Sequence, residues 1–336
     1  MTIRVGINGF GSIGRRFFRQ TLRRSDIEVA AINDPGDPAA LAHLLRYDST
    51  YGRLDADLDL VDGGLVVNGR TIRLSADRDA SRLKWGEAGV DVVVDCSGSY
   101  TDAERARLHI DAAGARKVVI SAPAKNEDLT ICMGVNEDAY DPERHHVISN
   151  ASCTTNCLAP VAKVLHERFG ILRGLMTTVH AYTSDQRLLD NPHRDLRRAR
   201  SAAQNIVPTT TGAAKAVGRV LPDLEGRLSG FALRVPVPTV SVVDLVADLK
   251  RPASVDEVNA AFAEAAAGAM KGILEVAEVP LVSSDFRGSE ASAIVDALAT
   301  LMIGDRLVKV VAWYDNEWGY AARLVDLVDL IRRRGL

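Results

Sequence analysis

The sequence predicts a two-domain α/β chain, and three observations carry that prediction. A glycine loop, Gly9-Phe10-Gly11-Ser12-Ile13-Gly14, lies between an apolar strand, Ile3–Asn8, and an amphipathic helix running to about Arg24. Near-continuous valine and isoleucine runs recur at Val92–Asp95 and Lys117–Ile120, as in parallel strands buried on both faces. After residue 150 strands follow one another with few crossover helices, which predicts a mixed, largely antiparallel sheet. The expected division is a dinucleotide-binding domain over 1–151 and an α+β domain over 152–315, with a C-terminal helix over 316–336 returning to the first.

Composition bounds the answer. A chain of 336 residues suits two domains. It is 47% hydrophobic and 25% charged, ordinary for a soluble protein. A net charge of -3 supplies no general attraction for nucleic acid or anionic membrane, so neither is expected as a main partner. No apolar run reaches spanning length, and the start reads into a strand rather than a signal peptide. Cys96, Cys132, Cys153 and Cys157 do not make a disulfide framework in a chain this long. Cys153 and Cys157 are four apart, which excludes a C-x-x-C redox or zinc pair, and no metal is expected. The expected setting is reducing and cytoplasmic.

Taken in order, Ile27–Asn33 is the second strand and completes a βαβ opening. Leu54 to Ala76 alternates more and carries Gly63-Gly64 and Asn68-Gly69 turn signals, which predicts an antiparallel excursion. A helix starts at Cys153, with Leu158, Val161, Val164 and Leu165 inward and Gly170 as its stop. Ser241–Leu249 is a long strand, and Ser254-Val255-Asp256-Glu257 is a capping box opening a helix to about Met270. Leu307–Ala312 is a strand, and Tyr320–Arg333 is an amphipathic helix.

The glycine loop follows a strand and opens a helix, the context that makes it a dinucleotide site. Gly9 permits the tight turn, Gly11 lets backbone approach a pyrophosphate, and Gly14 allows close helix–strand packing. Asp34 stands twenty residues after Gly14, where an acid holds the adenine ribose hydroxyls. Together these make the first domain a dinucleotide-binding domain.

Cys153 sits at a helix start, where partial positive charge and unpaired N–H groups favour thiolate. Its other reading is a small buried hydrophobe. His180 ends the run Leu175–Val179 and is one of seven histidines. It is either the base and ion-pair partner of that thiolate or a hydrogen-bonded structural histidine. Cys157, Cys96 and Cys132 read as packing residues. Arginines 187, 194, 197, 198 and 200 crowd the loop after His180, Arg234 follows a strand, and Thr209-Thr210-Thr211-Gly212 precedes a helix start. Guanidinium forks, hydroxyls and helix-start N–H groups suit phosphate oxygens. For most of these arginines a solvated, salt-bridged face is the simpler reading.

Six runs in this order, ASCTTNC, HAYTSDQ, LRRAR, PTTTGAAKA, RVPVPTVSVVDL and WYDNEWGY, closely resemble phosphorylating glyceraldehyde-3-phosphate dehydrogenases over essentially the whole chain. The resemblance implies a Rossmann domain, a catalytic domain with a mixed sheet, a homotetramer and NAD as cofactor. It implies oxidation of glyceraldehyde 3-phosphate with inorganic phosphate to an acyl phosphate, through a cysteine thiohemiacetal and thioester. It makes Cys153 the nucleophile and His180 its base. Thr183, Asp185 and Arg234 resemble the site for the substrate's own phosphate, with Asp185 orienting the arginine. Ser152, Thr154, Thr211, Gly212 and Arg198 resemble the site for inorganic phosphate. Asn316 and Tyr320 match positions near the nicotinamide, and Asn8, Phe10, Ser12, Ile13, Asn33, Asp34, Ser97 and Ser121 match positions lining the cofactor.

Three positions depart from the family pattern: Ser12 replaces an arginine, and Pro35 and Asn191 replace leucines. They bear on cofactor affinity and on NAD against NADP, for which Asp34 and Pro192 favour NAD. An erythrose-4-phosphate dehydrogenase would share Cys153 and His180, but that relative usually has a glutamate at position 34 and lacks the TTTGAAKA run. An aspartate-semialdehyde dehydrogenase would lack HAYTSDQ and WYDNEWGY. The reading from another class is an inactive nucleotide- or RNA-binding interaction protein, against which the intact cysteine, histidine and phosphate groups argue.

Overall fold

A computed structural model describes residues 2–336. The chain divides into two compact units, one of Met1–Ile131, Glu137–Ala151 and Ala321–Leu336, the other of Cys132–Asn136 and Ser152–Tyr320. The sequence places Cys132–Asn136 in the first domain, whereas the structure puts it in the second unit. Lys163 Nζ explains the difference, donating to the carbonyls of Gly134 at 3.3 Å and Val135 at 3.0 Å. Asn316–Tyr320 also stay with the second unit, and only the chain from Ala321 returns.

The first unit opens with β1 (Ile3–Asn8), α1 (Ser12–Thr21), β2 (Ile27–Asn33) and α2 (Pro38–Arg46). A short hairpin, β3 (Tyr47–Asp48) and β4 (Gly52–Arg53), precedes β5 (Leu58–Val61), β6 (Gly64–Val67) and β7 (Arg70–Ser75). Then come β8 (Val92–Asp95), α3 (Ala103–Ala106), α4 (Leu108–Asp111), β9 (Lys117–Ile120), β10 (Leu129–Thr130) and β11 (Val147–Ser149). Nine strands form one sheet in the order β10-β11-β9-β8-β1-β2-β7-β6-β5. Its centre is parallel, and every residue of β8 and β9 is buried, which is why those strands read as unbroken valine and isoleucine. The excursion is antiparallel through β5, β6 and β7, but β7 also pairs parallel with β2 and so extends the main sheet. Helix α1 stops at Thr21, short of the expected Arg24, where the Thr21 hydroxyl donates to the Phe18 carbonyl.

The second unit runs α5 (Cys153–Phe169), β12 (Ile171–Ala181), β13 (Val207–Thr210), α6 (Ala213–Val220), β14 (Leu228–Val235) and β15 (Ser241–Leu249). It continues through α7 (Val255–Ala267), β16 (Leu274–Ala277), β17 (Ala293–Asp296), β18 (Leu301–Ile303) and β19 (Leu307–Tyr314) to the first residues of α8 (Trp318–Arg334), which from Ala321 onward belongs to the first unit. The sheet order is β13-β14-β12-β15-β19-β17-β16, with β18 on β19. Pairs β12/β14 and β16/β17 are parallel, and the remaining pairs are antiparallel. Ser254 and Glu257 make both bonds of the capping box, and α7 ends at Ala267 rather than Met270. Among the described residues no helix is long and apolar enough to cross a membrane.

Register sets up the chemistry. On adjacent parallel strands His180 of β12 stands opposite Arg234 of β14. Helix α5 starts at Cys153 because Ser152 caps it, accepting from Thr155 N at 3.0 Å, and Gly170 stops it at a φ of 73°.

Candidate active site

The glycine loop joins β1 to α1. Gly9 has a φ of 90°, and a Cβ there would come within 2.6 Å of the Ser97 backbone. A Cβ on Gly14 would meet the Gly9 carbonyl at 2.3 Å. Around Gly11 nothing lies within 4 Å of a Cβ position, so the protein itself does not demand glycine there. That open backbone at the start of α1 is what a pyrophosphate needs, and the residues fit a dinucleotide. Asp34 follows β2, and its carboxylate accepts from Phe10 N at 2.7 Å and Gly36 N at 2.8 Å. Both bonds fix its orientation, and each oxygen keeps a lone pair for a ribose hydroxyl. Asn8, Gly9, Gly11, Asn33, Asp34 and Ser97 share one pocket.

Three of the expected cofactor residues act from beneath. Asn8 is 3% exposed, and its amide donates to Asp95 at 2.5 Å and accepts from Asn33 at 2.8 Å. Asn33 accepts in turn from Ser75 Oγ and Asp77 N. These side chains tie the ends of β1, β2 and β8 together and are occupied by protein. Phe10 is fully buried, edge-on to Phe18 at 5.7 Å, so only its backbone serves the loop. Ser97 Oγ donates to Asp95 at 2.9 Å, and Ser121 N donates to the Asp95 carbonyl. Ser12 and Ile13 open α1, half-buried.

In the second unit Cys153 Sγ lies 3.4 Å from His180 Nε2. Cys153 is partly exposed, while His180 is 4% exposed. His180 Nδ1 stands 2.7 Å from the Ala181 carbonyl, and from this network we assign the proton to Nδ1, which leaves the Nε2 lone pair facing the thiol. Arg234 Nη1 is 3.0 Å from the same Nδ1 and donates to Ala181 O and Thr183 Oγ1, each at 3.1 Å. Arg234 Nε is buried with no hydrogen-bond partner.

Burial pushes the Cys153 thiol above its ordinary value, although Arg234 and Thr154 oppose that rise. Burial, and then Arg234, lower the His180 imidazole to about 3. Both shifts favour a neutral thiol beside a neutral imidazole, the state in which His180 acts as base. The helix start alone does not offset desolvation of the sulfur.

The anion groups fall into two clusters joined through Thr183. Its hydroxyl donates to Asp185 and accepts from Arg234. The resemblance gives Asp185 the task of orienting Arg234, but its carboxylate pairs with Arg198. Arg198 Nε also donates to Thr209 Oγ1 at 2.8 Å and lies 3.6 Å from Asp195. Thr211 Oγ1 accepts from Ala213 N at 3.2 Å, and Gly212 is the N-cap of α6. The Ser152 hydroxyl is engaged as the cap of α5, and Thr154 Oγ1 contacts Tyr314 at 2.8 Å. Asn316 Oδ1 accepts from Ser241 Oγ at 2.9 Å, and Tyr320 is buried in α8.

Sequence reasoning missed several residues. Tyr314 and Thr178 are buried against the pair, their hydroxyls 2.9 Å apart. Thr178 lies two before His180 on one strand, so a period-2 reading would have placed it on the same face. Ala151 and Val240 have φ values of 53° and 68°, unusual for non-glycine residues. They precede the turn into Cys153 and the strand that carries Ser241, and no sequence signal marks them. Among the described residues no group of His, Cys, Asp or Glu could hold a metal ion.

Two family models cover most of the chain: the glyceraldehyde 3-phosphate dehydrogenase NAD binding domain matches residues 3–103, and the C-terminal domain of the same family matches residues 152–316. The chain is 62% identical over 336 residues, the whole of both chains, to glyceraldehyde-3-phosphate dehydrogenase of Geobacillus stearothermophilus. It is 57% identical over 336 residues, again the whole of both, to glyceraldehyde-3-phosphate dehydrogenase 1 of Bacillus subtilis. To the Streptomyces coelicolor glyceraldehyde-3-phosphate dehydrogenase it is 59% identical over 329 residues, 97% of this chain and 98% of that one. With its glycine loop and its thiol–imidazole pair in place, the chain belongs to the glyceraldehyde-3-phosphate dehydrogenase family.

Proposed function

We propose that the protein oxidises D-glyceraldehyde 3-phosphate with NAD and inorganic phosphate to 1,3-bisphosphoglycerate, a step of glycolysis and gluconeogenesis. The observation that carries the reading is Cys153 Sγ at 3.4 Å from His180 Nε2, beside Arg234. Cys153 attacks the aldehyde carbon as His180 takes the thiol proton and hands it on to the carbonyl oxygen, which gives a thiohemiacetal and leaves Nε2 free again. The Cys153 N–H begins α5 and has no partner inside the helix, so it suits the developing oxyanion. Bound NAD supplies the hydride acceptor. His180 Nε2 takes the hydroxyl proton while the carbon is oxidised to a thioester. Phosphate then attacks that carbon, and the thiolate leaves.

The phosphate-bearing substrate also strengthens the base. A base works best with a pKa near the working pH, and His180 is held far below it by burial and Arg234. Arg234 Nε is buried without a hydrogen-bond partner, a donor left to be satisfied by a phosphate oxygen. An anion there offsets the guanidinium charge 3.0 Å from Nδ1 and raises the imidazole. We assign Thr183, Asp185 and Arg234 to the substrate phosphate, and Ser152, Thr154, Thr211, Gly212 and Arg198 to inorganic phosphate. Asp34 disfavours NADP, because an added phosphate would bring like charge against a carboxylate already oriented by two N–H groups. The roles of Asn316 and Tyr320 toward the nicotinamide rest on the resemblance.

A homotetramer in a reducing cytoplasm completes the proposal. One face of the second unit's sheet supports self-association, with Leu175 68%, Phe231 46% and Ile303 75% exposed. Sedimentation equilibrium should give four times the 36.2 kDa chain mass. A monomer at micromolar concentration would refute the assembly.

The direct assay is NADH formation from glyceraldehyde 3-phosphate with and without phosphate. Steady turnover should require phosphate. Cys153→Ser should lose several orders of magnitude, His180→Asn about 10²–10⁴-fold, and Cys157→Ser little. Near-normal turnover in Cys153→Ser would overturn the mechanism. In Arg234→Gln the His180 resonances should titrate well above about 3, toward the ordinary histidine value, and the Cys153 thiol should rise further. An unmoved His180 titration would break the link between anion site and base.

A further inference from the structure

Tyr314 closes β19 and is 1% exposed. Its hydroxyl lies 2.8 Å from Thr154 Oγ1 and 2.9 Å from Thr178 Oγ1. Thr154 is 4% and Thr178 1% exposed, so water does not compete for these groups. Thr154 follows Cys153 in the first turn of α5, and Thr178 lies two residues before His180 on β12. The Tyr314 ring also meets the His180 ring edge-on, with centroids 5.9 Å apart at 76°. One side chain thus touches the nucleophile's turn, the base's strand and the base's ring.

Each hydroxyl carries one proton and accepts others. Thr154 directly follows Cys153, and both its hydroxyl and its backbone N–H favour the thiolate over the thiol. If the Thr154 proton goes to sulfur, Thr154 Oγ1 must accept from Tyr314, and Tyr314 can accept from Thr178. All donors then point toward the sulfur, and each bond polarises the next. Burial keeps the Tyr314 phenol protonated, so it remains a donor.

We propose that Tyr314 is a positioning residue for the reaction, the middle member of a buried relay from Thr178 through Tyr314 to Thr154 that stabilises the Cys153 thiolate. The proposal rests on Cys153 being the nucleophile. Once the thioester forms, sulfur no longer carries charge, and the Thr154 proton is free for the incoming phosphate. One hydroxyl therefore serves both halves of the reaction. The groups facing Cys153 are His180 from β12, Arg234 from β14, Tyr314 from β19 and Cys157 from its own helix, and Asp185 and Arg198 act on His180.

The test is the pH dependence of Cys153 alkylation by iodoacetamide, read by peptide mass on the full chain. Tyr314→Phe keeps the ring and removes the hydroxyl. Its alkylation midpoint should rise by about one pH unit. Its kcat should fall about tenfold, with the KM for NAD unchanged. Thr154→Val should show the same rise, the double variant no more than either single one, and Thr154→Ser the parent midpoint. Thr178→Val gives a second reading if Tyr314→Phe does not fold. A parent-like midpoint in both Tyr314→Phe and Thr154→Val would overturn the relay, whatever happens to stability. Failure of the nucleophile reading would show separately, as turnover retained by Cys153→Ser.

Discussion

A thiol at the first residue of α5 meets an imidazole at the end of β12, and the imidazole meets the guanidinium of Arg234 on β14. The chemistry of the second unit depends on holding these three together. Parallel pairing puts His180 opposite Arg234, and the Ser152 cap decides where α5 begins. The electrostatic consequence is not the simple one. Burial opposes charge on both sulfur and imidazole, and Arg234 helps the first while hindering the second. An anion at Arg234 would alter that balance, which ties the proposed recognition of the substrate's phosphate to the strength of the base.

The first unit meets a different demand, a glycine loop held open with its backbone in place. Gly9 and Gly14 are required by contacts within the protein, while Gly11 is free of them. Below the loop, Asp95 accepts from Asn8 and Ser97 and lies 3.3 Å from His109 Nε2, whose other nitrogen accepts from Trp85. Its buried members, Asn8, Asp95 and His109, are all bonded, as burial of polar groups requires. It links the ends of β1, β2 and β8, the strands from which the loop and Asp34 project.

What was legible in the sequence was local. The three glycines, the cap before Cys153, the capping box at Ser254 and the unbroken valine strands each express a rule spanning a few residues. The partners that decide function are distant. Thr154 meets Tyr314 across 160 positions, and Asn8 meets Asp95 across 87. Asn8 and Asn33 do line the pocket at the glycine loop, but their hydrogen bonds to Asp95, Ser75 and Asp77, like the burial of Phe10, involve partners that no local pattern shows. A helix start is visible in sequence and desolvation is not, so the burial that opposes charge on the Cys153 sulfur could not be read there. The pairing of Asp185 with Arg198 rather than Arg234 depends on the path of a loop that no periodicity describes.

The central claim is that Cys153 carries the substrate's acyl group between oxidation and phosphate attack. It is tested most directly by mixing the protein with glyceraldehyde 3-phosphate and NAD in the absence of phosphate, quenching in acid, and locating any adduct by peptide mass. The account predicts one acyl group per chain as a thioester on Cys153, formed with one NADH and discharged as acyl phosphate when phosphate is added. A burst of NADH with Cys153 unmodified, or an adduct that phosphate does not discharge, would contradict it.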